Sequence, residues 1–89
     1  GAPDLVIEIL SPHTAAKDMK IKLNLYERVG VKEYWLIHPL DRTIMVFALQ
    51  RNGKYGKPAV YDRQDTISVG IFEGDLRVDA AGIFGEPGT

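Results

Sequence analysis

Glu8 stands inside the run PDLVIEIL, residues 3 to 10, flanked by Leu5, Val6, Ile7, Ile9 and Leu10. A short apolar run after a proline reads as a strand covered on both faces, because a half-solvated strand alternates apolar and polar residues. An ionised carboxylate is costly to bury alone, so Glu8 must be protonated, be paired, or face a cleft or a metal ion. A second misplaced charge follows it. On a helical wheel that takes Asp18 as zero, Met19, Ile21, Leu23, Leu25, Tyr26 and Val29 form an apolar arc, and Lys22 falls at about 40°, near its middle. Asp18 lies at the margin of the same arc. Two readings fit the pair. Glu8 and Lys22 form a structural ion pair, or the lysine stem packs while its head reaches water. Alternatively they form a catalytic site. Glu8 then ligates a divalent cation, and Lys22 orients or activates the attacking water or stabilises developing negative charge.

The elements that must bring the two together can be read along the chain. After the first strand, SPHT breaks the pattern and a helix is expected over residues 14 to 29. Thr14 or Ser11 is its cap, Pro12 suits the opening turn, and Gly30 is the left-handed residue past its end. KEYWLIH, residues 32 to 38, is aromatic and β-branched and reads as a second buried strand. Strand, helix and strand with short links form a βαβ unit, which makes the two strands parallel and lays the helix over them. TIMVFALQ, residues 43 to 50, continues as a strand, and Asn52-Gly53 marks a tight hairpin. YGKPAVYD is the return strand, at a sheet edge because of Pro58. TISVGIF and LRVD are shorter strands, and Asp79 caps a helical turn in AAGIF. The fold class is therefore α/β, a βαβ core plus an antiparallel meander, in one domain over residues 1–84 with a tail at 85–89.

Composition narrows the function classes. With 45% hydrophobic and 26% charged residues, the chain of 89 residues has the make-up of one small globular domain rather than a disordered or fibrous one. The absence of cysteine excludes disulfide scaffolds, zinc-thiolate sites and thiol catalysis. A formal net charge of -1 gives no general attraction for nucleic acid, so any such binding rests on local arrangement. No apolar run approaches the roughly 18 to 20 residues of a membrane span, and GAPD lacks the basic start of a signal peptide. The expectation is a soluble, cytoplasmic protein without a membrane partner. The chain starts two residues before what reads as a central strand. It is therefore expected to be the C-terminal half of a longer domain, or to have its sheet completed by a second copy.

The remaining candidates have bland alternatives. Asp4 is either a second metal ligand or a turn residue before the strand, and Asp18 either supports Lys22 from one helical turn away or simply pairs with it. His13 is read as an exposed loop residue, and Tyr34 and Trp35 as core rather than base-stacking platforms. Lys17, Lys20, Arg28 and Lys32 are read as solvated charges rather than DNA-backbone contacts.

The series Pro3, Asp4, Glu8, Ser11, Pro12, Thr14, Asp18, Lys22, Tyr26, Gly30, Val31, Glu33, Tyr34, Trp35 and Pro39 closely resembles the C-terminal half of a bacterial restriction-endonuclease-like family. That family is abundant in cyanobacteria and belongs to the PD-(D/E)xK nuclease superfamily. The likeness is dense over residues 2 to 39 and looser to about residue 84. It implies part of a restriction-endonuclease-like fold, metal-dependent DNA endonuclease activity, and Mg²⁺ or Mn²⁺ held by the acid that maps onto Glu8. The superfamily lysine would fall at position 10, where this chain has Leu10. The resemblance implies instead a lysine moved to the helix, which maps onto Lys22. The superfamily's first metal-binding aspartate and its additional N-terminal acid have no clear counterpart, so the chain as given is expected to be incomplete and inactive. The rival expectation is a non-enzymatic binding or oligomerisation module on a degenerate nuclease fold, self-associating as a dimer.

Overall fold

The computed structural model describes residues 2–11, 13, 16–68 and 77–84. Its elements run β1 (Leu5–Ile9), α1 (Ala16–Val29), β2 (Glu33–His38), β3 (Thr43–Ala48), β4 (Ala59–Asp62), β5 (Thr66–Ser68), β6 (Arg77–Asp79) and α2 (Ala80–Phe84). The first four strands form one sheet in the order β1-β2-β3-β4, and β5 and β6 pair as a second, antiparallel ladder. β1 runs parallel to β2, with Val6 opposite Tyr34 and Glu8 opposite Leu36. β3 returns antiparallel and β4 pairs on its outer side. The expected βαβ core and meander are thus present.

β2 is the centre of the sheet, and Glu33 through Ile37 are all buried. Alternation along the strand divides them between two half-cores. Tyr34 and Leu36 join Phe47 under α1, with Val6, Leu10, Met19, Leu23, Tyr26 and Met45 around them. On the opposite face Trp35 and Ile37 join Ile44, covered in part by Val78, Ala80 and Phe84.

The end of α1 follows from Gly30. Its φ of 87° is the left-handed conformation that side chains resist. It lets the Val31 and Gly30 amides turn back on the Tyr26 carbonyl, at 3.0 and 3.1 Å. This is a Schellman closure of the helix. Asp79 caps α2 as expected, its Oδ1 accepting the Ala81 amide at 3.1 Å. At Asn52-Gly53 the Gly53 amide donates to the Gln50 carbonyl at 3.0 Å, with Gly53 at φ 79°. The hairpin therefore forms where the sequence placed it.

Some expectations need adjusting. The return strand is shorter than YGKPAVYD. Leu49 faces Tyr55 in an isolated bridge, whereas Val46 faces Ala59, so the pairing slips by one residue around Pro58, which has no amide to donate. Among the described residues β4 is an edge strand, as Pro58 requires. β1 is not covered on both faces among the described residues: it is the other edge of the sheet, and Ile7 and Ile9 are 49% and 69% exposed. The apolar arc of α1 divides in the same way. Met19, Leu23 and Tyr26 meet the sheet, while Ile21, Leu25 and Val29 are exposed. Pro12, Thr14, Ala15, residues 69–72 of TISVGIF, Leu76 of LRVD and the tail 85–89 lie outside the described residues.

Candidate active site

Three elements converge on one carboxylate. Val6, Glu8 and Leu10 alternate with Leu5, Ile7 and Ile9 along β1, which turns Glu8 toward the face that α1 covers. Lys22 and Tyr26 are four residues apart and so lie on one side of the helix. Lys22 Nζ stands 3.4 Å from Glu8 Oε2, with side chains 52% and 22% exposed respectively. The Tyr26 hydroxyl donates to Glu8 Oε1. From β2 the Tyr34 hydroxyl reaches Glu8 Oε2 at 3.4 Å, a long contact. The sequence's suspicion about Glu8 and Lys22 is met by one geometry: the two charges pair where the edge strand and the helix meet.

The tyrosine rings are fixed by packing. Tyr26 and Tyr34 lie with centroids 5.0 Å apart and tilted by 53°, and Tyr34 stacks on Phe47 at 5.8 Å. Tyr55 extends the row beyond Phe47 at 6.0 Å, its amide bonded to Glu27 and its hydroxyl to the Val31 carbonyl. The hydrogen bond to Glu8, with burial and the Glu8 charge behind it, pushes the Tyr26 phenol up to about 12. Burial, then the Glu8 charge, raises the Tyr34 phenol as well. Both are donors at neutral pH.

These shifts have a testable sign. Unfolded tyrosines lose protons near pH 10.0, while folded Tyr26 holds its own to about 12 and Tyr34 is raised too. The native state then binds more protons than the unfolded one, so stability falls as pH rises through that window. Melting temperature between pH 9 and 12 is expected to drop, and to drop less steeply in Tyr26→Phe and Tyr34→Phe. Equal slopes in all three proteins would refute the assignment.

The other candidates lie elsewhere. Asp4 precedes β1 and sits roughly 13 Å along the chain from Glu8, at 3.3 Å per residue. It meets Lys32 at 3.6 Å on the surface. Asp18 is exposed in the first turn of α1 and, among the described residues, forms no ion pair with Lys22, which turns to Glu8. His13, Lys17, Lys20 and Arg28 are exposed, and Trp35 is core. What the sequence reading missed is the pair of hydroxyls. The apolar pattern places Tyr26 and Tyr34 in the interior, and the spacing of Lys22 and Tyr26 is the available signal that both face Glu8.

A divalent cation does not find a full set of ligands here. Among the described residues no three of His, Cys, Asp and Glu gather to hold a metal. Mg²⁺ needs near-octahedral oxygen coordination. Glu8 offers one carboxylate whose oxygens already face Tyr26, Lys22 and Tyr34.

Comparison with known proteins bears on this arrangement. The model of the family described as "Uma2: Putative restriction endonuclease" matches residues 1–81. Among solved structures, the chain is similar to a protein described as "a putative nuclease belonging to DUF820", from Anabaena variabilis ATCC 29413. The two are 27% identical, with a TM-score of 0.75 over 93% of this chain and 44% of that one. The chain thus spans less than half the length of that relative. None of the curated proteins compared with it matches.

Proposed function

This chain belongs to the Uma2 restriction-endonuclease family, and from that premise we propose that it carries part of a metal-dependent site for hydrolysing DNA phosphodiesters. Restriction-endonuclease-like families generally use divalent metals, and Mg²⁺ or Mn²⁺ is the ion proposed. The observation that carries the reading is the meeting of Glu8 and Lys22 at 3.4 Å on the edge of the sheet. Lys22 is the half-exposed cation that a phosphate would meet, and it can balance negative charge building on the phosphoryl oxygens. Glu8 lies against that ammonium and offers one oxygen toward a cation.

Residues 1–84 are read as the C-terminal part of one restriction-endonuclease-like domain and 85–89 as a tail. Among the described residues no full set of metal ligands gathers around Glu8, and the 89 residues are expected to leave plasmid DNA uncut. A cytoplasmic setting belongs to the same proposal; among the described residues no helix is long and apolar enough to cross a membrane. Mn²⁺ titration followed by NMR tests the reading: resonances of Glu8 and its register partner Leu36 should broaden first. Uniform or absent broadening would overturn it.

A second reading is favoured by β1 itself. The Asp4 carbonyl accepts from Glu33 and the Leu10 amide donates to Ile37, so the even positions of β1 bond to β2. Leu5, Ile7 and Ile9 therefore turn their amides and carbonyls outward. With Ile7 and Ile9 exposed beside them, this edge suits pairing with β1 of a second copy. In this reading the chain is a binding or oligomerisation module. Light scattering should give twice the chain mass, and Ile9→Lys should return it to the monomer. A monomeric wild type at all concentrations would exclude the dimer.

A further inference from the structure

The two oxygens of Glu8 have unlike neighbours. Oε1 takes the Tyr26 hydroxyl, and Oε2 faces Lys22 Nζ and the Tyr34 hydroxyl, each at 3.4 Å. A glutamate with three rotatable bonds has to be held if its carboxylate is to present one oxygen in one direction, since fixing such a side chain costs entropy. Lys22 cannot do the holding. It is half exposed on a flexible stem, and surface ion pairs of this kind fix little.

Tyr26 is anchored at both ends. Its ring lies between the helix and Tyr34, which is 1% exposed and stacked on Phe47. Its carbonyl accepts the Gly30 and Val31 amides that close α1. The phenol is a donor through the whole neutral range, because its hydrogen bond to Glu8 and its burial oppose ionisation. The ring therefore offers a fixed donor to a mobile acceptor.

We propose that Tyr26 is a positioning residue for Glu8: its hydroxyl pins Oε1 and thereby aims Oε2 at Lys22 and at the open side of the pair. What the aimed oxygen is used for rests on the nuclease reading above; the pinning itself does not. In a metal-bound site, groups that orient a ligand typically change affinity about 10- to 100-fold when removed.

The test uses the full chain with glutamate selectively labelled for NMR. Side-chain couplings of Glu8 should report a single rotamer in the wild type and in Tyr34→Phe, and rotamer-averaged values in Tyr26→Phe. A packing role would lower the melting temperature without averaging the couplings, so unchanged couplings in Tyr26→Phe overturn the proposal. Should Tyr26→Phe fail to fold, the wild type decides: the Tyr26 hydroxyl proton should exchange slowly and couple to the Glu8 carboxyl carbon, and a rapidly exchanging, uncoupled proton overturns the proposal equally. Mn²⁺ added to the same samples should bind about tenfold more weakly to Tyr26→Phe than to wild type. If neither protein binds Mn²⁺, the nuclease reading falls, and the couplings still decide the role of Tyr26.

Discussion

Glu8→Gln is expected to abolish site-specific Mn²⁺ broadening while moving the unfolding midpoint only slightly. The two effects separate because they arise from different properties of one side chain. Gln keeps the size of Glu and a carbonyl that can accept from Tyr26, so the contacts of β1 with α1 survive. What is lost is charge. The Glu8–Lys22 pair, 3.4 Å apart and half open to water on the lysine side, is of the class worth about 1 kcal/mol or less. A cation that relies on the carboxylate loses that charged ligand, and among the described residues no three of His, Cys, Asp and Glu gather to replace it. Each tenfold loss of affinity corresponds to about 1.4 kcal/mol, so a site that is weak to begin with should fall below detection. If the ion pair is only structural, stability falls by the same ~1 kcal/mol or less, and wild type and variant respond alike to Mn²⁺. Denaturant unfolding and Mn²⁺ titration of the same two proteins check this.

Most of what brings Glu8 and Lys22 together was legible because it is local. Strand alternation fixes the face of Glu8 and the helical period fixes the face of Lys22. The run lengths made strand, helix and strand a parallel βαβ unit, as the register of β1 on β2 bears out. Less legible was anything that depends on which strand lies beside which. An apolar run such as LVIEI suits a covered strand, yet β1 is an edge among the described residues. The wide apolar arc of α1 suggested one buried face, whereas Met19, Leu23 and Tyr26 divide from the exposed Ile21, Leu25 and Val29. This division puts Lys22 at the boundary of the buried stripe, where its head can reach both Glu8 and water. The hydroxyls of Tyr26 and Tyr34 are hidden for the same reason: an aromatic in an apolar run counts as core until the fold brings a carboxylate within reach of its hydroxyl.

The support beneath the site predicts the largest stability effect. Trp35→Ala is expected to cost about 4 kcal/mol, within the usual range for a buried tryptophan. For 89 residues the whole stability is of the order of 4 to 13 kcal/mol, so this variant should lose between about a third and nearly all of it. Two losses combine. Trp35 is 1% exposed, pairs with Ile7 on one side and Val46 on the other, and packs with Ile37, Ile44 and Ala80. Its removal leaves a cavity in the centre of β2. Its indole N–H also donates to Glu33 Oε2 at 2.6 Å, and Glu33 is 3% exposed. A carboxylate buried that far loses much when a donor is removed, about 1.5 to 3 kcal/mol for a bond to a charged group. Trp35→Phe separates the losses, since it keeps most of the ring and deletes the donor. Urea unfolding followed by circular dichroism should place it roughly midway, about 2 kcal/mol below wild type. A loss under about 0.5 kcal/mol would show that Glu33 does not depend on the indole. Because β1 is held in register only by β2 among the described residues, Trp35→Ala should also release Glu8 from Tyr26. The averaging of Glu8 couplings in that variant would then report loss of the strand, whereas in Tyr26→Phe it reports loss of one hydroxyl.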